Sequence, residues 1–200
     1  METHDVLILV DVQNDFCPGG ALPVKDGDRI VPILNRYIKK FSALGLPIIA
    51  TRDWHPQKTR HFKSGGGIWP AHCVQGTEGG KFHPALAMDN NILMVSKGES
   101  PDADSYSGFE AVTSDGMRLG DLLRLRGVER LFVGGLATDY CVKSTVLDAL
   151  KEGFRVKALE NAMRAVEVNP GDGARAIAEM LDAGAEIVST DTAARHAVKQ

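Results

Sequence analysis

Short apolar runs alternate with longer amphipathic stretches along the chain. The runs are β-prone and nearly uninterrupted, as in strands covered on both faces, and they lie at residues 5–10, 47–51, 92–96, 131–136, 155–159 and 186–189. Apolar residues at helical spacing, each set followed by a glycine, predict helices at about residues 30–44, 120–126, 139–152 and 172–183. The alternation predicts an α/β fold: a single domain over residues 1–200 with a six-stranded, mostly parallel sheet, helices on both faces and right-handed crossovers.

Composition and charge narrow the classes of partner. The chain has 200 residues, a net charge of -3 and three scattered cysteines, Cys17, Cys73 and Cys141. It lacks the broad basic surface that binds nucleic acid or an anionic membrane, so we expect a small, neutral substrate. No secretory signal pattern is present, and no apolar run approaches the roughly 20 residues that span a bilayer. We therefore predict a cytoplasmic protein with free thiols and no nucleic-acid or membrane partner.

Two stretches fall outside the alternation of strand and helix. Residues 53–90 are rich in His, Gly and Pro, and residues 98–116 are polar. Long irregular segments inside a compact domain are usually functional. We therefore expect both to carry part of a site, the first as a metal-binding loop.

Reactive side chains follow four of the predicted strands. Asp11 follows the first strand, Asp53 and His55 the second, Lys97 the third, and Cys141 comes shortly after the fourth. In open α/β sheets, ligands bind beyond the carboxyl ends of the strands, so these groups are expected to meet at one edge. Each has an ordinary alternative, such as a turn aspartate, a solvated lysine or a small buried cysteine. Their shared placement favours a site.

Cys141 has the sequence surroundings of a nucleophile. If Thr138 or Asp139 caps the following helix, the thiol lies in the first turn, where free N–H groups and the helix dipole lower a thiol pKa. Backbone N–H groups in the preceding Gly-Gly-Leu-Ala turn are candidate donors to an oxyanion, and its two glycines are interpreted as space for a substrate. Asp11 can take the thiol proton and pass it to a leaving amine, while Lys97 positions that carboxylate. The set predicts amide hydrolysis through a thioester.

Candidate metal ligands lie in the segment 53–90. Asp53 and His55 project to the same side of an extended segment, and His61 and His72 follow. Zinc, iron and manganese all accept carboxylate and imidazole ligands. A solvated cluster of surface histidines is the alternative interpretation.

Aromatic residues near these groups indicate a flat pocket. Phe16, Trp69 and Tyr106 are candidates to line it, although anchoring of loops against the core would use the same residue types. The glycine run at residues 65–67 has no phosphate-loop context and is interpreted as a flexible hinge or lid.

Five motifs run in order from Asp11 to Thr145: "LVDVQNDFCPGGAL", "TRDWHP", "WPAHCVQGT", "KG" followed by "DSYSGF", and "GLATDYCVKST". Together they resemble the nicotinamidases, or pyrazinamidases, of the isochorismatase-like cysteine hydrolase superfamily. The opening "DVQNDF" marks only the superfamily. The Asp-x-His pair together with "WPAHC" is far more specific, because metal-free relatives generally lack it. The resemblance covers almost the whole chain and implies the isochorismatase-like hydrolase fold.

The resemblance implies a catalytic role for several residues. Asp11, Lys97 and Cys141 resemble the family's catalytic triad, with Cys141 as the nucleophile. The peptide between Leu136 and Ala137 matches the family's cis bond. The N–H groups of Ala137 and Cys141 match its oxyanion hole.

The resemblance also implies one bound divalent metal ion, with zinc ahead of iron or manganese. Asp53, His55 and His72 resemble the family's ligands, and His61 matches a further ligand that only some members have. The residues that match the family's substrate-binding positions are Phe16, Trp69, Tyr106, Leu136 and Ala137.

The implied activity is that of a metal-dependent cysteine amidohydrolase. Nicotinamide would be hydrolysed to nicotinate and ammonia through a Cys141 thioester, in NAD salvage, and pyrazinamide would also be accepted. Family members are often dimers or higher oligomers, so a homo-oligomer is an open expectation. Two other hypotheses stay open: a metal-free sister hydrolase with a non-aromatic substrate, and a non-catalytic metal or redox sensor, which leaves Asp11 and Lys97 without a role.

Overall fold

The predicted apolar runs form the strands of one sheet. The computed structural model describes residues 1–102 and 104–188, and its strands are β1 (Asp5–Val10), β2 (Ile48–Asp53), β3 (Leu93–Lys97), β4 (Arg130–Leu136), β5 (Arg155–Arg164) and β6 (Glu186–Val188). These six strands confirm the predicted α/β fold. Ser189, the predicted end of the last strand, lies outside the described residues.

Strand order places β1 inside the sheet. The order is β3-β2-β1-β4-β5-β6, and each neighbouring pair is parallel. All six residues of β1 are buried, because a parallel strand between two helical layers is covered on both faces. The chain winds outward from β1 to β3 on one side and from β4 to β6 on the other. The point where the winding reverses, between β1 and β4, is where ligands bind in such sheets.

Helices cover both faces of the sheet. They are α1 (Val31–Ala43), α2 (Leu119–Leu125), α3 (Lys143–Lys151) and α4 (Asp172–Asp182). Apolar residues of α1 pack with Leu7 and Leu9 of β1, whereas those of the other three helices join the core that contains Val6 and Ile8. Successive residues of a strand point to opposite faces, so one buried strand supplies both cores. Among the residues that the structure describes, no helix combines the length and apolar character needed to cross a membrane.

The segment between β2 and β3 contains no α-helix. A short 3-10 turn, Lys63–Gly65, is its one helical element among the described residues. Isolated backbone bridges join His55 to Val74 and Phe62 to Trp69. These bridges fold the long segment back against the carboxyl end of β2.

Candidate active site

The ends of β1, β2 and β3 bring three predicted site residues together. Asp53 and Lys97 are the last residues of β2 and β3 and are direct neighbours across these strands. Asp11 follows β1, and its N–H donates to the Thr51 carbonyl oxygen at 3.2 Å. Cys141 arrives from the segment after β4, with Sγ within 4.8 Å of a carboxylate oxygen of both aspartates. The four groups therefore meet at one edge of the sheet.

Lys97 is the buried cation at the centre of this group. Its Nζ lies 2.9 Å from Oδ2 of Asp11, donates a hydrogen bond to Asp53 and lies 3.5 Å from Sγ of Cys141. Burial alone would lower the pKa of Lys97, but the two carboxylates hold that pKa well above its ordinary value. Lys97 is therefore an ammonium at neutral pH and balances part of the carboxylate charge.

The two carboxylates have different electrostatic surroundings. Burial raises the pKa of Asp11, and the nearby Asp53 adds to this rise while Lys97 opposes it. Burial would also raise the pKa of Asp53, but the Lys97 ammonium leaves that pKa below its ordinary value. Thr51 Oγ1 donates to Asp11 Oδ1 at 2.6 Å and holds that side chain in place. Asp11 is thus the better placed of the two to exchange a proton, while Asp53 stays ionised.

Cys141 lies in a π-helical turn, Thr138–Val142, that precedes α3. The residue before the turn is Ala137, and no side chain caps the turn there. The Asp139 carboxylate instead accepts the N–H groups of Val166 at 2.9 Å and Glu167 at 3.0 Å. The predicted cap by Thr138 or Asp139 is therefore wrong, because the carboxylate ties the turn to the loop after β5.

The predicted fall in the pKa of the Cys141 thiol is also wrong. Burial raises this pKa well above its ordinary value, and Asp11 and Asp53 add to the rise, whereas Lys97 opposes it. Two carboxylates and the loss of water outweigh whatever the turn's free N–H groups contribute. The resting protein therefore holds a neutral thiol beside a base, rather than a preformed thiolate.

Three buried histidine rings converge beside Asp53. Candidate ligand atoms of His55, His61 and His72 lie within 4.8 Å of one another. Nε2 of His55 and Nε2 of His72 lie 3.5 Å and 3.9 Å from Oδ2 of Asp53. The structure thus brings all four predicted ligands together, in the carboxylate and imidazole combination that borderline divalent metals accept.

The hydrogen bonds of the three rings leave one nitrogen of each for a metal. Each ring uses its Nδ1 toward an oxygen, at 3.0 Å for His55 with Gly98 O, 2.5 Å for His61 with Asp104 Oδ1 and 2.8 Å for His72 with Pro70 O. These oxygens only accept, so Nδ1 carries the proton and a neutral ring keeps its lone pair on Nε2. Nε2 of His55 is buried and has no hydrogen-bond partner among the described residues. Burial lowers the pKa of His72 to about 4, which keeps that ring neutral. The cluster therefore fits a divalent metal ion.

Glycines pack tightly against the backbone and rings of this cluster. A Cβ on Gly98 would lie 2.4 Å from Cε1 of His55, a Cβ on Gly65 2.1 Å from the Thr59 carbonyl oxygen, and a Cβ on Gly67 2.1 Å from the His61 carbonyl oxygen. The glycine run at 65–67 therefore allows close packing around His61, where the sequence indicated a flexible hinge or lid.

A small cavity, with about 30 Å³ of space accessible to a water-sized sphere, opens beside Cys141. The predicted aromatic residues Phe16, Trp69 and Tyr106 all line it, and Trp69 Nε1 donates to the Tyr106 hydroxyl at 3.0 Å. The rest of its lining comprises Leu22, Asp53, His61, His72, Ala137 and Tyr140. The thiol, two of the histidines and the aromatic side chains therefore face one small space.

The end of β4 differs in part from its interpretation. The peptide bond between Leu136 and Ala137 is cis, as predicted. Gly135 has φ +140°, and a Cβ there would lie 2.0 Å from the Val10 carbonyl oxygen. The interpretation of the glycine pair as space for a substrate is wrong at this position, because the space is taken by the backbone of β1. Leu136 is fully buried in the core on the α1 side rather than in the cavity lining, which Ala137 joins.

Several residues of the site were missed by sequence reasoning. Tyr140 lines the cavity, and its ring centroid lies 5.1 Å from that of Trp69. The Gln13 side-chain amide binds both backbone groups of Asp53: its Oε1 accepts from the Asp53 N–H and its Nε2 donates to the Asp53 carbonyl oxygen, each at 2.8 Å. Thr51 supports Asp11. All three residues stand inside the motifs of the sequence analysis, which was the available signal, but their contacts depend on the fold.

Comparison with known proteins gives a consistent result. The family model of the isochorismatase domain matches residues 5–192. The nicotinamidase of Escherichia coli (strain K12) is 43% identical over 200 aligned positions, which cover 90% of this chain and 92% of the relative. The solved pyrazinamidase of Pyrococcus horikoshii in complex with zinc is 46% identical, with a TM-score of 0.86, covering 93% of this chain and 99% of that one. PnC1 from L. infantum in complex with nicotinate is 39% identical, with a TM-score of 0.84, covering 95% and 94%.

Proposed function

The chain belongs to the isochorismatase family, and we propose that it is a nicotinamidase, which hydrolyses nicotinamide to nicotinate and ammonia. The observation that carries this proposal is the small cavity beside Cys141, in which the thiol, buried histidines and aromatic side chains face one another. A planar pyridine ring that carries one carboxamide needs these three kinds of group. The nicotinamidase of E. coli and the nicotinate-bound relative support the same substrate. The reaction belongs to NAD salvage.

The aromatic ring of the substrate is held by the cavity walls. Phe16, Trp69 and Tyr106 supply flat apolar faces, and the hydrogen bond between Trp69 and Tyr106 fixes two of them relative to each other. The carboxamide then lies over Cys141. Holding the amide carbon next to the thiol replaces an encounter in solution by a reaction within one complex.

Cys141 attacks in the first half of the reaction. Asp11 takes the thiol proton as the sulfur adds to the amide carbon, and the Lys97 ammonium, 3.5 Å from Sγ, stabilises the developing thiolate. The N–H groups of Ala137 and Cys141 donate to the oxyanion. The carbon–nitrogen bond then breaks, and Asp11 returns its proton to the leaving nitrogen. Ammonia departs, and the acyl group stays bound to Cys141 as a thioester.

Water enters in the second half. It loses a proton to Asp11 and adds to the thioester carbon, and the same N–H groups stabilise the second oxyanion. The carbon–sulfur bond breaks and the Cys141 sulfur recovers the proton from Asp11. The product leaves as nicotinic acid, which gives its carboxyl proton to water or to the released ammonia and becomes nicotinate, and the site returns to a neutral thiol beside an ionised carboxylate.

One divalent metal ion completes the proposed site, with zinc ahead of iron or manganese. Asp53, His55 and His72 would hold it, with His61 as a fourth ligand, and the orphaned Nε2 of His55 supports this arrangement. The zinc complex of the P. horikoshii relative supports zinc. When bound, the ion supplies a Lewis acid for the ring nitrogen.

Ammonia release from nicotinamide by the Cys141→Ala variant is the decisive experiment. We expect no release, because the nucleophile is gone, and an unchanged metal content, because the thiol is not among the proposed ligands. Cys17→Ala is the matched control, since Cys17 is buried and free but lies outside the cavity lining. Turnover retained in Cys141→Ala would exclude the thioester route.

Substrate range and assembly complete the proposal. Pyrazinamide has a ring of the same shape, and the pyrazinamidase relative supports its hydrolysis at the same site. A metal-free sister hydrolase would instead be inert toward both amides in the ammonia assay. The single domain over residues 1–200, the cytoplasmic location and a homo-oligomer stay predictions.

A further inference from the structure

His61 differs from the other two histidines in what holds its ring. Nδ1 of His55 and of His72 faces the backbone oxygens of Gly98 and Pro70. A backbone carbonyl is present whatever the side chain at that position, so the fold alone orients these two rings. Nδ1 of His61 instead lies 2.5 Å from Oδ1 of Asp104. The orientation of His61 therefore depends on one replaceable side chain.

The contact joins a buried ring to a solvated carboxylate. The His61 side chain is 3% exposed, whereas that of Asp104 is 57% exposed. An ion pair with one partner so exposed contributes little to the stability of a fold. A carboxylate on the distal nitrogen of a ligand histidine has a different effect, because it fixes the tautomer and the ring direction and makes Nε2 a better donor to a metal.

The residues after Asp104 contact the other parts of the same site. The carbonyl oxygen of Ser105 lies 3.3 Å from Lys97 Nζ. Tyr106 lines the cavity and accepts a hydrogen bond from Trp69. Asp104 therefore stands at the start of a short segment that the Ser105 carbonyl oxygen and the Tyr106 side chain hold against the site, which limits the directions that the Asp104 carboxylate can take.

We propose that Asp104 is a positioning residue of the metal centre, whose carboxylate holds His61 with Nδ1 protonated and Nε2 toward the ion. The proposal rests on the metal site of the proposed function. Loss of such a partner weakens metal binding by about ten- to a hundredfold. His55 and His72 need no equivalent side chain, because the backbone performs this task for them.

Zinc affinity, measured by competition with a chelator, tests the proposal. We expect Asp104→Ala to weaken zinc binding by about ten- to a hundredfold. Asp104→Asn should fall between this variant and the native protein, since its amide oxygen still accepts a hydrogen bond but carries no charge. Asp102→Ala is the matched control, because it removes a carboxylate from the same loop. The Asp102 side chain is 74% exposed and pairs with Arg60 at 3.6 Å instead of with a histidine. Its zinc affinity should equal that of the native protein.

A double-mutant cycle with His61→Ala shows whether Asp104 acts through that ring. Once His61 is absent, Asp104→Ala should cause no further loss of zinc affinity. An equal loss in both backgrounds, or none in either, overturns the proposal. An unchanged zinc affinity with a lowered urea midpoint of the metal-free protein also overturns it, because Asp104 would then be structural only.

These measurements are independent of turnover. If the variants behave as expected in zinc binding while the native protein releases no ammonia from nicotinamide, the proposed function fails and the role of Asp104 stands. If ammonia is released and the cycle shows no coupling, the role of Asp104 fails and the proposed function stands.

Discussion

Two clusters meet at the cavity, and they are built in different ways. The nucleophile cluster, Asp11, Lys97 and Cys141, is carried by strand ends and by the turn after β4, and its members contact one another directly. The histidine cluster, His55, His61 and His72, is carried by the segment between β2 and β3. Its rings are oriented mainly by oxygens outside the cluster.

The difference shows which part of the fold each cluster depends on. Parallel strands place Asp53 and Lys97 side by side by their register, whatever the loops do. Loop-borne rings have no such register, so close packing of glycine backbone and outward hydrogen bonds must hold them. We therefore expect the nucleophile cluster to respond most to changes of charge, and the histidine cluster to changes of loop packing and to the ion.

Loss of the central cation is expected to have the largest effect. Lys97→Met leaves Asp11 and Asp53 buried without their counter-charge, so the free energy of unfolding should fall by about 3–5 kcal/mol in urea titrations. Lys81→Met is the matched control, because Lys81 pairs with Glu78 where the two side chains are 59% and 83% exposed. That control should change stability by less than about 1 kcal/mol. Equal effects would contradict a structural dependence on buried charge.

Zinc should stabilise the folded protein through the histidine cluster and Asp53, without the nucleophile cluster. At a zinc concentration of about 100 times its Kd, the free energy of unfolding should rise by about 2.7 kcal/mol. Cys141→Ala should keep this rise, because the thiol is not a proposed ligand, whereas His72→Ala should lose most of it. Thermal unfolding with and without zinc measures both. A rise that disappears in Cys141→Ala would show that the clusters are not separable in this way.

A change in the loop packing around His55 is expected to lower the stability less than these changes do, but to weaken zinc binding specifically. Gly98 has φ +70° and its Cβ would collide with the His55 ring, so Gly98→Ala should cost about 2 kcal/mol and weaken zinc binding. Gly116 has φ +85°, and a Cβ added there would meet no atom within 4 Å, so Gly116→Ala tests backbone strain alone. The control should cost about 1 kcal/mol and leave zinc affinity unchanged. A loss of zinc affinity in Gly116→Ala would refute the claim that Gly98→Ala weakens zinc binding through its contact with the His55 ring.

The smallest expected effect concerns the support of Asp11. Thr51→Val keeps the shape of the side chain but removes the hydroxyl that donates to Asp11 at 2.6 Å. A lost hydrogen bond of about 1 kcal/mol corresponds to roughly a fivefold fall in kcat, with little change in KM. Thr113→Val is the control, since its hydroxyl donates to Asp115 instead. A change confined to KM would show that Thr51 shapes binding rather than the reacting carboxylate.

Much of the fold followed from local pattern. Apolar runs such as residues 131–136 became strands because a buried parallel strand requires continuous apolar residues, and the helices begin and end near their predicted limits. β5 was predicted to end at residue 159 but continues to Arg164, because its pairing with β4 shifts between Val133 and Gly135 and then resumes. Such a shift depends on two strands at once, so one strand's sequence does not contain it.

The sequence indicated which residues would meet at the sheet edge, but not the surroundings that set their pKa values. Asp11, Lys97 and Cys141 stand at or beyond the carboxyl ends of three strands of one parallel sheet, so parallel topology was enough to expect them at one edge. The direction of the thiol pKa was wrong, because it depends on how deeply Cys141 is buried and on the two carboxylates that surround it. Neither quantity is local to the helix start from which the prediction was made.

The sequence by itself determined the class of fold, the edge of the sheet at which the reactive groups lie and the kinds of group present there. These properties follow from periodicity and from the order of residues along the chain. The tertiary structure alone decided the contacts between distant segments, such as Lys97 between two aspartates and Asp104 on His61. Burial, pKa and ring orientation depend on everything that surrounds a side chain, and most of those neighbours lie far away in the sequence.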